Sequence, residues 1–421
     1  MSRSKKAVTF DDAVKLSKPT AFSTLVKPVG SLCNFDCSYC YYLDKADIYE
    51  GRQPQMSDEI LEKYVKQFIE ANDIPVITFV WHGGEPLIAG LDFYKKAIEF
   101  QNKYKGEKRI DNTLQTNGML INEEWCDFFV DNNFLLGLSL DGPEDVHDAF
   151  RRDKGGAPTF ARVMKAAELM TRKNVQFNTL STVNSRCEGR GAEIYAFMRG
   201  ISKYMQFLPV MEHTIQPEGA RRPHIVPPDT PGAQLAPWSV SSEGFGKFMC
   251  DIFDRWVVND VGNYFVQLFD VALAQWCGVA PALCSFNETC GDGLVVEHNG
   301  DVYSCDHFVY PEYRLGNIAE KTLTELKATS DQFWFGVNKH GDLPTMCKRC
   351  DYYFACRGEC PKHRFDTAPN GEKGLNGLCA GYKKFFSHVD PYMRYMRMLI
   401  ENNQPAFMVI PWARQYMMGY R

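Results

Sequence analysis

From Ala21 to about Val210, short runs of apolar and β-branched residues alternate with segments whose apolar side chains recur every three or four positions. The runs predict strands at Ser23 to Val26, Val76 to Trp81, Asn112 to Thr116, Leu135 to Leu140, Gln176 to Val183 and Met205 to Val210. Between the first two, Ile60, Leu61, Tyr64, Val65, Phe68 and Ile69 share one helical face behind Ser57, a candidate N-cap, with Asp58 and Glu59 in the first turn. Phe93, Tyr94, Ala97 and Ile98 repeat the pattern, as do Val163, Ala166, Ala167 and Met170 after Thr159. Six βα units in a row predict an α/β fold with a parallel sheet or an incomplete barrel. Ligands then belong at the C-terminal ends of its strands.

The periodicity stops at Glu212. From there to Ser242 six prolines interrupt a stretch without apolar spacing, which predicts a long loop. Helical patterns resume over Phe245 to Val258 and Tyr264 to Trp276. After Trp276 the character changes again, with Cys277, Cys284, Cys290, Cys305, Cys347, Cys350, Cys356, Cys360 and Cys379 crowded into the last third. Such a region cannot rely on apolar burial alone.

Composition adds one constraint. The 421 residues suffice for two or three domains, and 45% hydrophobic with 24% charged residues describes an ordinary globular chain. A net charge of −5 offers no general attraction to nucleic acid or anionic lipid. No run of about 18 apolar residues occurs, so no membrane span is expected. The first twenty residues lack a secretory h-region and cleavage site, which places the chain in the cytoplasm. Fifteen cysteines there point to metal more than to disulfides.

Directly after the first strand stands Cys33-Asn-Phe-Asp-Cys37-Ser-Tyr-Cys40. Three thiolates so spaced on a loop can hold three corners of a 4Fe–4S cluster and leave one iron open; a zinc site is the bland alternative, although it wants a fourth ligand. With Tyr39 before the last cysteine, the motif resembles that of the radical S-adenosylmethionine (SAM) enzymes. The resemblance implies a partial (β/α)6 barrel and an open cluster whose free iron chelates SAM. It also implies SAM contacts for Tyr39, for Gly83, Gly84 and Glu85 in Trp81-His-Gly-Gly-Glu-Pro86, and for Ser139 and Arg151. Arginine suits a carboxylate clamp, though Arg152 stands beside it. Gln115-Thr-Asn-Gly118 resembles a further strand-end segment of the family, without an assigned role.

Cys347-x2-Cys350-x5-Cys356-x3-Cys360, followed by Cys379 and preceded by Cys284, Cys290 and Cys305, resembles the SPASM extension of peptide-modifying radical SAM enzymes. The resemblance assigns Cys284, Cys290, Cys305 and Cys360 to one auxiliary 4Fe–4S cluster and Cys347, Cys350, Cys356 and Cys379 to a second. Spacing alone would put Cys360 with its neighbours, and two zinc ions would satisfy the same eight thiolates. Asn299-Gly300 predicts a hairpin that presents Cys305 and Asp306 at its far end. Four thiols remain: Cys126 and Cys250 in helical apolar patterns, Cys187 in a polar loop and Cys277. The division expected is an N-terminal extension (1–21), a radical SAM partial barrel (22–210), a proline-rich loop and helical connector (211–276), a SPASM domain (277–384) and a helical tail (385–421).

From Phe22 to Phe386 the closest resemblance is to the anaerobic sulfatase-maturating enzymes, carried by the three-cysteine motif, Gly83-Gly-Glu-Pro-Leu-Ile-Ala-Gly90, the later cysteines and Cys305-Asp306. It implies oxidation of a sulfatase Ser or Cys to Cα-formylglycine: a deoxyadenosyl radical takes a Cβ hydrogen, Asp306 takes a proton, and an electron leaves to an auxiliary cluster. It implies three 4Fe–4S clusters, SAM, a sulfatase polypeptide in unfolded or nascent form, and an electron donor such as a flavodoxin or ferredoxin. Asp is also a common turn residue, the plain reading of Asp306. A thioether-forming SPASM enzyme and a zinc-stabilised binding module are the competing readings.

Overall fold

A computed structural model describes residues 21–42, 45, 48, 55–218, 223–228 and 230–419. The N-terminal extension expected over 1–21 lies outside them except for its last position.

Six parallel strands, β1 (Ser23–Val26), β2 (Val76–Trp81), β3 (Arg109–Thr116), β4 (Phe134–Ser139), β5 (Gln176–Val183) and β6 (Tyr204–Pro209), lie side by side in chain order. Helices cross back between them, beginning with Asp58–Ala71, whose Ile60 N–H donates to Ser57 Oγ at 3.3 Å as its sequence suggests. Alternation along each strand sorts its side chains. In β5, Thr179, Ser181 and Val183 are buried, whereas Asn178, Leu180 and Thr182 are half-buried on the opposite face. The six strands do not close into a barrel, for other strands flank them on both sides.

Two parts of the chain beyond β6 take more structure than their patterning shows. Within Glu212 to Ser242, β7 (His213–Ile215), β8 (His224–Val226) and β9 (Gln234–Leu235) pair as a small antiparallel sheet. Strands of two or three residues are too short for a period of two to register between prolines. Farther on, β10 (Phe265–Val266) pairs with β6 just before the helix Gln267–Trp276.

The hairpin at Asn299-Gly300 forms from β11 (Gly293–Val296) and β12 (Asp301–Tyr303), and β13 (Arg314–Asn317) follows. It does not stand apart. β11 pairs in parallel with β1, Leu25 opposite Val295 and Val26 opposite Val296, so ten strands make one sheet. The long helix Cys379–Glu401 is equally integrated. Phe385, Val389, Met393 and Met396 are fully buried, and the helix meets Ser242–Val257 where two glycines touch: a Cβ on Gly381 would fall 2.1 Å from Ser242 O. Cys126 and Cys250 are buried on helices, Cys187 is buried in a short turn despite its polar neighbours, and Cys277 is half-buried.

Candidate active site at the C-terminal ends of the parallel strands

The loop after β1 carries Cys33, Cys37 and Cys40, and the loop after β2 fixes it. His82 N–H donates to Val26 O at 2.9 Å, Gly84 N–H to Gly30 O at 2.8 Å and Glu85 N–H to Leu32 O at 2.8 Å. This close approach is what excludes a side chain at Gly84, whose Cβ would lie 2.0 Å from Leu32 O. Glu85 is fully buried and faces inward, accepting from Asn117 N (2.8 Å), Thr116 Oγ1 (2.9 Å) and Leu87 N (3.1 Å). Burial pushes its carboxyl up to about 7 against those donors. The glycines and the glutamate thus lock two loops together.

Behind the thiols lies a second constellation. Tyr39 donates to Asp141, which also accepts from Arg151 Nη2 at 3.0 Å and Thr182 N at 2.9 Å. The Arg151 guanidinium sits 5.5 Å from the Tyr39 ring centre and is buried, while Arg152 is exposed and bonds Gly156 O. Of the two arginines, it is Arg151 that is buried beside Tyr39 and Asp141. Ser139 accepts from Gln115 Nε2 at 2.9 Å on the same face of the sheet.

The three thiols interact electrostatically with one another, and burial raises Cys33 to about 12 and Cys37 well above its ordinary value. Nearby, Arg151 Nε and Asn34 Nδ2 are buried donors without a hydrogen-bond partner. Soft sulfur donors beside unfilled hydrogen-bond donors fit a thiolate-held cluster with a carboxylate-bearing ligand on it.

The hairpin brings Asp306 to this place from the far end of the chain. It pairs with Lys27, the fully buried residue that follows β1, and accepts from Tyr41 beside Cys40. Lys27 Nζ also lies 3.3 Å from His82 Nδ1 and 3.9 Å from the Tyr42 ring centre, and Tyr42 donates to Glu297. Burial pushes the Asp306 carboxyl up, but Lys27 foremost, then His82 and His307, hold it well below the usual carboxylate range. Sequence reasoning missed Lys27, Tyr41 and Asp141. A lysine closing a buried strand at its C-terminal end was the available signal.

The remaining eight thiols separate into two groups. Cys284, Cys290, Cys305 and Cys360 interact with one another, and His307 Nδ1 lies 3.4 Å from Cys360 Sγ. Cys347, Cys350, Cys356 and Cys379 form the other set. Cys360 therefore stands apart from the cysteines nearest it in sequence, because the left-handed residues Arg357, Gly358 and Glu359 turn the chain between Cys356 and Cys360.

Comparison with known proteins places both parts of the chain in known families. The model of the Radical SAM superfamily matches residues 28–184, and that of the SPASM iron–sulfur cluster-binding domain matches 284–351. A serine-type anaerobic sulfatase-maturating enzyme of Bacteroides thetaiotaomicron is 47% identical over 90% of this chain and 92% of its own length. The chain belongs to the anaerobic sulfatase-maturating enzymes. As a member of that family it is a radical SAM oxidoreductase. The cysteine-type enzyme of Clostridium perfringens is 34% identical over 88% of this chain and 96% of its own. The structure of native anSMEcpe with bound AdoMet and Cp18Cys peptide superposes on this sulfatase-maturating enzyme with a TM-score of 0.78. It is 33% identical and covers 90% of this chain and 99% of its own. Among the described residues no helix is long and apolar enough to cross a membrane.

Proposed function

We propose that this enzyme oxidises a serine in an unfolded or nascent sulfatase to Cα-formylglycine in the cytoplasm. The carrying observation is Asp306. A hairpin nearly three hundred residues downstream places its carboxylate against Lys27 and Tyr41, at the rim of the three-thiol loop. Serine is preferred on the 47% identity to a serine-type relative, against 34% to a cysteine-type one.

In this reading residues 22–210 hold the radical-generating site and 277–384 the electron-accepting sites. Cys33, Cys37 and Cys40 would hold the open cluster; Cys284, Cys290, Cys305 and Cys360, and separately Cys347, Cys350, Cys356 and Cys379, would hold two closed ones. Arg151 Nε and Ser139 would face SAM, with Tyr39, Gly83, Gly84 and Glu85 shaping that site. With SAM bound, the loop of Cys33, Cys37 and Cys40 would hold the group that supplies radical chemistry at the substrate Cβ, and the later cysteines would hold the groups that supply an electron acceptor. Asp306 receives the hydroxyl proton of the target serine; its ion pair with Lys27 keeps it in the ionised form that a base requires. Tyr41 donates to the same carboxylate and sets its direction. A flavodoxin or ferredoxin would supply the priming electron.

Anaerobic incubation with SAM, a reductant and paired Ser- and Cys-containing sulfatase peptides tests this reading. The Ser peptide is expected to lose the mass of two hydrogens and to gain reactivity with a hydrazide. A crosslinked product without an aldehyde would instead indicate thioether chemistry.

A further inference from the structure

Lys339 is only 2% exposed, on the helix Ser330–Gly341. Its ammonium donates to Cys284 O at 2.7 Å and to Ser285 O at 2.8 Å, and among the described residues no carboxylate lies within ion-pair distance of it. Arg364 is its neighbour. Among the described residues that guanidinium binds backbone carbonyls, including Lys339 O, Gly358 O (2.9 Å) and Glu359 O (2.9 Å), and so grips the turn between Cys356 and Cys360. A buried ammonium without a counter-ion is costly, so the site is built for an anion. Burial pulls Lys339 below its ordinary pKa, and Cys290, Cys360 and Cys284 oppose it. Among the described residues, the cations that act on the second thiol group are Arg364 and Lys383. That group shares Arg364, and the lysine near Cys379, Lys383, is exposed.

We propose that Lys339 is a positioning residue for electron removal: its buried charge balances an anionic cluster on Cys284, Cys290, Cys305 and Cys360 and makes that cluster the easier of the two auxiliary ones to reduce. The inference rests on the reading that both thiol groups hold clusters. A four-thiolate cluster is anionic, and reduction adds one further negative charge without breaking a bond. A fixed positive charge in a low-dielectric site favours that reduced state, and net charge is among the main determinants of cluster potential. The favoured cluster is also the one whose ligand Cys305 adjoins Asp306, so the electron and the proton leave the substrate in the same direction.

The test is an EPR-monitored redox titration of the anaerobically reconstituted full chain, with iron and sulfide analysis. In Lys339→Met the iron is retained, one auxiliary signal moves to lower potential while the other stays, and formylglycine formed per deoxyadenosine falls; Lys339→Arg returns the potential toward wild type. An iron-replete Lys339→Met protein titrating as wild type overturns the assignment and leaves the cluster reading intact. Wild-type protein with iron for the Cys33 site alone overturns the cluster reading, and this inference with it. If Lys339→Met loses auxiliary iron, Lys339→Arg decides: retained iron at the wild-type potential supports the charge requirement, and loss from both variants overturns it.

Discussion

Asp306 shows how much one side chain's neighbours matter. Asp306→Asn preserves shape but cannot take a proton. It is expected to keep iron content and SAM cleavage while formylglycine formation falls at least about 100-fold, which mass analysis of the peptide and of deoxyadenosine separates; unimpaired oxidation would remove Asp306 from its role. Lys27 lies beneath it as the other half of a pair whose side chains are 0% and 14% exposed. Removing one partner strands the other, so Lys27→Met is expected to cost about 3–5 kcal/mol in denaturant titrations. Cys33 was legible as a candidate ligand because its spacing from Cys37 and Cys40 announces one. Lys27, Tyr41 and Asp141 were not, because a single Lys, Tyr or Asp acquires a role only from what stands opposite it.

Among the elements, the strands with strong β-branched runs were readable to within a few residues, and β1, β2 and β5 match their expected bounds. The helix Cys379–Glu401 illustrates what was not. Its sequence shows an amphipathic helix, yet its place is decided by Gly381 and Gly246, which allow it to approach Ser242–Val257 within backbone contact. Since Cys379 opens this helix, displacing it displaces a proposed ligand. Gly381→Ala is expected to lower stability by about 1–3 kcal/mol, from overpacking, and to reduce iron at the second auxiliary site first. Equal loss across all sites in Mössbauer spectra would mean general unfolding instead. The strands β7 to β9 escaped notice for the reason given by their length: a strand of two or three residues has no pattern, only partners.

For the whole molecule, buried titratable groups tie stability to pH. Burial holds His147 at about 4, neutral between Asp141 N and Thr159 Oγ1. The folded state therefore binds fewer protons than the unfolded one below pH 6.5, and the contribution present above that pH is lost as pH falls toward 4. Relative to His147→Gln, the wild type is expected to lose up to about 1.4 kcal/mol more per pH unit across that window, measured by anaerobic denaturant melts; parallel curves would exclude it. By itself the sequence determined the six βα units, the three-thiol motif at the end of the first strand and the number of later cysteines, because period, turn chemistry and cysteine spacing are local properties. Only the tertiary structure decided that β11 extends the sheet beside β1, that Asp306 meets Lys27, and that Arg151 faces inward. Those are contacts between segments far apart in the chain, set by strand pairing and by which charges burial forces together.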